Sequence, residues 1–247
     1  MIIKTGARAV TLKTETPPVV VSGQLHIYKD LEQGSDAWLA ARCGIVTASV
    51  MHQLVTTTPK VASNDTSRGL TATLTAERIT GHVEPMQVSG PMLRGQLDEP
   101  FARDAYSEHH APAVELGFMV RQFDGYRIGY SPDGLVGDDG LIEIKSRAQK
   151  KHLQTILADA VPPENMAQCQ TGLLVTGRDW IDYISFCSGM PLWTKRVYPD
   201  QKWFDVIGEA VQAFEMNAAE MITTYNAATA NCPPTERLDH FAEEDIF

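Results

Sequence analysis

The sequence predicts a mixed α/β (α+β) domain, with helices flanking a central mixed β-sheet. Three features predict it. Short runs of alternating or β-branched character recur at 118–130, 141–145, 180–187 and 193–198. Helical apolar spacing lies before, between and after them. Turn signals such as Asp124-Gly125 and Gly137-Asp138-Asp139-Gly140 punctuate the runs.

Residues 1–24 read as an extended preface, with β-prone stretches at 10–13 and 19–21 split by Pro17-Pro18. A helix is expected from Ser35 to Arg42, ended by Gly44. A second starts at Thr47 or Ser49, either of which can cap it. Residues 56–68 are polar, contain Pro59, and read as a mobile loop. Helices follow at about 69–80 and 91–108, then a hairpin over 118–130 turning at Asp124-Gly125. Residues 141–145 form a short strand and 164–175 a helix, with strands at 180–187 and 193–198. Residues 201–228 form a helix that buries Trp203, Ile207, Val211 and Phe214. Trp38 and Trp203 are expected in the core. The chain divides into an extended segment 1–25, a main domain 26–230 and an acidic tail 231–247.

A chain of 247 residues, 43% hydrophobic, can bury one substantial core. No apolar run approaches the ~20 residues that span a bilayer, and the first residues do not read as a secretory leader. Cys43, Cys169, Cys187 and Cys232 are scattered, with no C-x-x-C pair for zinc or an iron–sulfur cluster. Scattered thiols without an export signal suit a cytoplasmic protein. His82, His109 and His110 have no metal-like spacing. The net charge is −10, against what a tight coat on DNA requires. Part of the excess is local: Glu236, Asp239, Glu243, Glu244 and Asp245 face only Arg237 in the tail. Such a tail reads either as a solvated acidic end or as a docking tip for a partner protein.

The strongest local pattern is Pro132-Asp133, nine residues, then Glu143-Ile144-Lys145. Residues two apart in a strand share a face, so Glu143 and Lys145 point together while Ile142 and Ile144 enter the opposite, apolar layer. A hairpin across 137–140 brings Asp133 to the same place. Two carboxylates, an ammonium and the Ile144 carbonyl then converge. Hard oxygens of this kind suit Mg²⁺, for which Mn²⁺ can substitute. A lysine there can orient or deprotonate a water. Taken alone, the same pattern also fits an exposed surface hairpin.

Four ordered blocks give this pattern context. They are 31–38 with 41–49, then 94–103, then 131–135 with 141–145, and 165–170. Together they resemble the phage lambda-exonuclease-like (YqaJ-type) alkaline exonucleases, within the restriction-endonuclease-like nucleases that carry a PD-(D/E)-x-K motif. The resemblance implies a restriction-endonuclease-like core and a Mg²⁺-dependent exonuclease. Such an enzyme cuts double-stranded DNA 5′ to 3′, releases mononucleotides and leaves a 3′ overhang. It further implies a trimeric ring on DNA ends and a single-strand annealing protein as partner, in a bacterial host cell.

The resemblance also carries residue roles. Arg42 and Ser49, with Thr47, hold a 5′ phosphate. A guanidinium pairs bidentately with phosphate, and a helix start favours an anion. Arg42 as a surface ion pair and Ser49 as a plain cap are the plainer readings. Glu99 matches an added acid beside the metals, with Asp98 as rival. Gln168 matches a glutamine beside the scissile phosphate and lysine, with Gln170 as rival. The basic run Arg147, Lys150, Lys151 and His152 either meets the phosphate backbone or forms a solvated turn. A wedge into the duplex end falls among Pro91, Met92 and Leu93. The alternatives in function are a restriction-like endonuclease, which shares the metal site but needs no end pocket, and a non-catalytic DNA-end adaptor.

Overall fold

A computed structural model describes residues 21–85 and 88–238. It is mixed α/β as expected, with its strands divided between two sheets. The first has the order β1 (Gln24–Tyr28), β4 (Phe118–Gln122), β5 (Arg127–Tyr130), β2 (Val46–Thr47). The second runs β3 (Ala113–Val114), β6 (Gly134–Val136), β7 (Gly140–Ser146), β8 (Trp180–Phe186), β9 (Trp193–Val197). Within the pairs, β2 lies parallel to β5 and β7 parallel to β8, and the other neighbours are antiparallel. The helices are α1 (Asp36–Arg42), α2 (Asp65–Thr80), α3 (Gly90–His109), α4 (Gln149–Ala158), α5 (Pro163–Thr176) and α6 (Gln201–Thr229). No helix among the described residues is long and apolar enough to cross a membrane.

Helix α5 is almost wholly buried, because its Ala167, Leu173, Leu174 and Val175 meet both sheets and α6. Trp203, Ile207, Val211 and Phe214 of α6 join the same core, as their spacing requires. Trp38 belongs to a smaller cluster with Ile45, Phe118 and Val120. On the other face of the second sheet, Ala102 and Tyr106 of α3 pack on Ile142, Ile144 and Ile184.

Three expectations are corrected. β1 begins at Gln24, inside the segment read as preface, and pairs with β4. The region read as a loop to residue 68 ends earlier, since α2 starts at Asp65 behind a reciprocal cap between Asn64 and Ser67. The element after Thr47 is a 3₁₀ turn, Ala48–Gln53, and Thr47 makes no side-chain cap bond because its hydroxyl is engaged elsewhere. The β-prone stretch at 10–13 and the tail beyond Leu238 lie outside the described residues, and of the stretch at 19–21 only Val21 is described.

Candidate active site

The second sheet has a notch. β6 pairs only with residues Gly140 to Ile142 of β7, so β7 continues beyond it with β8 on one side alone. Asp133 fills the gap. Its Oδ2 accepts the Ile144 N–H at 2.6 Å, where another strand would otherwise bond. In an extended strand the N–H and C=O of one residue face one edge, so the Ile144 carbonyl opens toward the same notch. Glu143 is fully buried and takes Lys145 Nζ on Oε1 at 2.7 Å and the Tyr130 hydroxyl on Oε2 at 3.3 Å. A carboxylate removed from water needs such partners.

Glu99 reaches this cluster from α3, one turn before the buried Ala102. Arg103 binds it at 2.5 Å, donates through Nε to the Asp133 carbonyl at 2.7 Å, and also pairs with Glu115 at 3.3 Å. Burial raises the Glu99 carboxyl; Arg103 opposes this, and Glu115 and Glu143 add to it. Burial, then the charges of Glu143 and Glu99, push Asp133 well above the carboxylate range, against Lys145 and the Ile144 N–H. Burial pulls Lys145 down, but Glu143 and Asp133 outweigh it and hold the ammonium protonated. Three carboxyls thus crowd two cations, one of them shared with Glu115. Asp98 takes another part: it accepts the Ser146 hydroxyl at 2.6 Å, and Ser146 accepts Arg94 Nε at 3.0 Å.

This surplus of hard oxygens suits a divalent cation, with Asp133, Glu143, Glu99 and the Ile144 carbonyl as donors. Among the described residues no three such side chains already form a closed metal group. Lys145 and Arg103 hold two of the carboxylates by direct ion pairs.

A second polar cluster stands beside the first sheet. Arg42, in the last turn of α1, lies 3.9 Å over the Trp38 ring. Its Nη2 donates to Thr47 Oγ1 at 3.3 Å, and the Thr47 and Ser49 hydroxyls are 3.1 Å apart. Burial lowers the Arg42 pKa and Glu77 opposes that. The turn between α1 and β2 is clamped from α2: Gly44 N–H donates to Glu77 at 2.7 Å, and its carbonyl accepts Arg78 Nε at 2.7 Å. Gly44 has φ +65°, and a Cβ there would collide with Arg78, so only glycine fits. The two clusters are joined. Thr47 pairs with Gly129 across β2 and β5, and Trp38 Nε1 donates to Ser131 Oγ at 3.0 Å, two residues before Asp133.

The other expected residues separate. Gln170 is buried and spans Tyr198 O at 2.8 Å and Asp200 N at 3.0 Å, fixing the start of α6. Gln168, half-buried on α5, is thereby left as the glutamine available to a ligand. Lys150 is exposed, and Lys151 is exposed and pairs with Glu164 at 2.6 Å. His152 does not belong to a basic surface: it is fully buried, bonded to Ser185 Oγ at 2.8 Å and Pro191 O at 3.0 Å. Of the wedge candidates, Met92 and Leu93 are exposed apolar residues. Sequence reasoning missed Tyr130 and Arg103. Arg103 had a signal, since it follows Glu99 by four residues on one helix. Tyr130 had none, because its contact with Glu143 comes from packing between the sheets.

The model of the YqaJ-like viral recombinase domain matches residues 37–179, more than half of the chain. The chain belongs to the YqaJ-like viral recombinase family. The matched span includes Arg42, Glu99, Asp133, Glu143, Lys145 and Gln168, and the resemblance read from the four blocks is borne out. The chain is also similar to a crystal structure of an alkaline exonuclease (LHK-Exo) from Laribacter hongkongensis. The two share 31% identity over 81% of this chain and 100% of that one, with a TM-score of 0.71. The same exonuclease in complex with dAMP matches equally, with 31% identity, the same coverage and a TM-score of 0.71. A phage-related exonuclease from Haemophilus somnus 129PT shares the fold at 14% identity, covering 73% of this chain and 96% of its own, with a TM-score of 0.60. No curated protein sequence matches.

Proposed function

We propose that this family member is a Mg²⁺-dependent exonuclease that degrades double-stranded DNA 5′ to 3′, releasing mononucleotides and leaving a 3′ single-stranded overhang. The observation that carries this reading is the adjacency of two clusters. A cationic pocket of Arg42, Thr47 and Ser49 lies beside an acid–lysine site, bridged by Trp38 and Ser131. The pocket suits a terminal phosphate and the acids suit a metal, so a strand held by its 5′ end lies across the carboxylates. An internal cutter has no use for the first cluster.

Asp133, Glu143, Glu99 and the Ile144 carbonyl would hold the metal, with Mn²⁺ as a substitute. A bound divalent ion polarises the scissile phosphate and makes water a better nucleophile. Lys145, kept protonated by its neighbours, orients that water or the phosphate by hydrogen bonding. Gln168 contacts the scissile phosphate, and Lys150 and Lys151 meet the backbone further along. A ring of three subunits in the cytoplasm of a bacterial host, handing its overhang to a single-strand annealing protein, completes the reading. Apolar side chains exposed on separate helices support the ring, Leu97 and Phe101 on α3 and Leu157 on α4. A head-to-tail ring pairs two different patches in this way.

The deciding experiment uses a linear duplex phosphorylated at one 5′ end and labelled at each end in turn. Loss of the phosphorylated strand from that end, stopped by chelator or by Lys145→Ala, is the expected result. Cleavage of a closed circle, or loss that chelation leaves untouched, overturns it.

A further inference from the structure

Beyond Lys145 the strand ladder continues, because Arg147 N–H donates to Phe186 O at 2.8 Å. Arg147 therefore follows Lys145 on the same face, about 7 Å further along, as Lys145 follows Glu143. Its guanidinium is fastened through one nitrogen. Nη2 donates to Asn165 Oδ1 at 2.5 Å and to the Tyr183 hydroxyl at 2.9 Å. Both anchors are buried, one on α5 and one on β8. Nε is buried without any acceptor, and among the described residues it is the one buried side-chain nitrogen or oxygen in that state. Nε itself is out of a ligand's reach, but Nη1 makes no hydrogen bond among the described residues and is not sealed off, so this edge of the guanidinium can meet an anion. Among the described residues no carboxylate hydrogen-bonds to it, and the Glu164 carboxylate is taken by Lys151. Burial raises the Tyr183 hydroxyl, and the charges of Arg147 and Lys145 both moderate that rise.

The position matters as much as the chemistry. Asp133 and the Arg42 pocket approach β7 from its open, β6 side. Arg147 is held on the opposite side, by β8 and α5. We propose that Arg147 binds the phosphate immediately 3′ of the scissile phosphate on the strand being cut, so that the strand passes from Arg42 over the carboxylates to Arg147. This assignment rests on the exonuclease reading above, and it separates Arg147 from Lys150 and Lys151, which lie on the exposed side of α4.

The test places one neutral methylphosphonate at successive linkages of the 5′-phosphorylated strand and follows single-nucleotide release. In the native enzyme, neutralising the linkage 3′ of the first cut should raise KM about 10-fold, with a smaller change in kcat. Arg147→Ala should give the same loss on ordinary DNA and no further loss on the modified strand. It should also flatten the log–log salt dependence of binding by about 0.7 to 1. Arg147→Lys should recover part of the affinity, since it keeps the charge without the fork. Multiplying losses in variant and substrate, or a native enzyme indifferent to that linkage, overturns the assignment. The native-enzyme walk stands even where Arg147→Ala fails to fold. Attack from the 3′ end would refute the polarity, and the linkages flanking that cut would still score Arg147 separately.

Discussion

The two halves of the candidate site are built in opposite ways. The carboxylate cluster is anchored on a fully buried charge: Glu143 has no exposure, and its partners Tyr130 and Lys145 come from different sheets. The Arg42 cluster is local, made by α1, β2 and the turn after it within a few residues, and it stays half-open to solvent. A buried charge has to be balanced internally, so losing it or its partner should damage chemistry and fold together. A half-open stacked arginine can be lost with the fold intact, and its absence should be felt only by ligands that carry the matching anion.

That contrast can be broken most directly at Glu143. Glu143→Gln removes the charge that balances Lys145 and should lower kcat by about 10³-fold or more. Single-turnover rates at saturating DNA would measure it, and an active Gln variant would show that the carboxylate cluster is not the reacting centre. Next in size is Arg42→Ala. It should cost about 10- to 100-fold in kcat/KM on 5′-phosphorylated ends, the range of a charge-assisted phosphate contact, and almost nothing on 5′-hydroxyl ends. Equal losses on both ends would mean that Arg42 supports the fold and not the end group. Tyr130→Phe sharpens the comparison, since it deletes one hydrogen bond to a buried carboxylate. Thermal unfolding should show about 1 to 3 kcal/mol of destabilisation, with activity reduced less than in Glu143→Gln. The smallest effect belongs to Lys151→Ala. Its exposed pair with Glu164 should contribute under about 1 kcal/mol, visible as little or no change in Tm.

Much of the site could be read without coordinates because strand geometry is a local rule. Alternation alone set Glu143 and Lys145 on one face and Ile142 and Ile144 on the other, and those isoleucines do enter an apolar layer, which α3 supplies. The choice between neighbours could not be read so. Asp98 and Glu99 are adjacent on α3, and only the helix's rotation on β7 turns Glu99 to the carboxylates and Asp98 to Ser146. Gln170 and Gln168 are likewise sorted by which one the start of α6 occupies. His152 looked like part of a basic run and is buried, since the face α4 turns to β8 depends on packing and not on its neighbours in sequence.

The sequence by itself determined most of the longer helices and strands, the acid–lysine motif and the four blocks that announce the family, because each depends on residues close together in the chain. Tertiary structure alone decided the split into two sheets, the notch that Asp133 fills, the bridge from Trp38 to Ser131 and the anchoring of the Arg147 guanidinium on Asn165 and Tyr183. Each of those joins residues far apart in sequence, and which of several chemically equal partners meet is fixed only when the core closes around them.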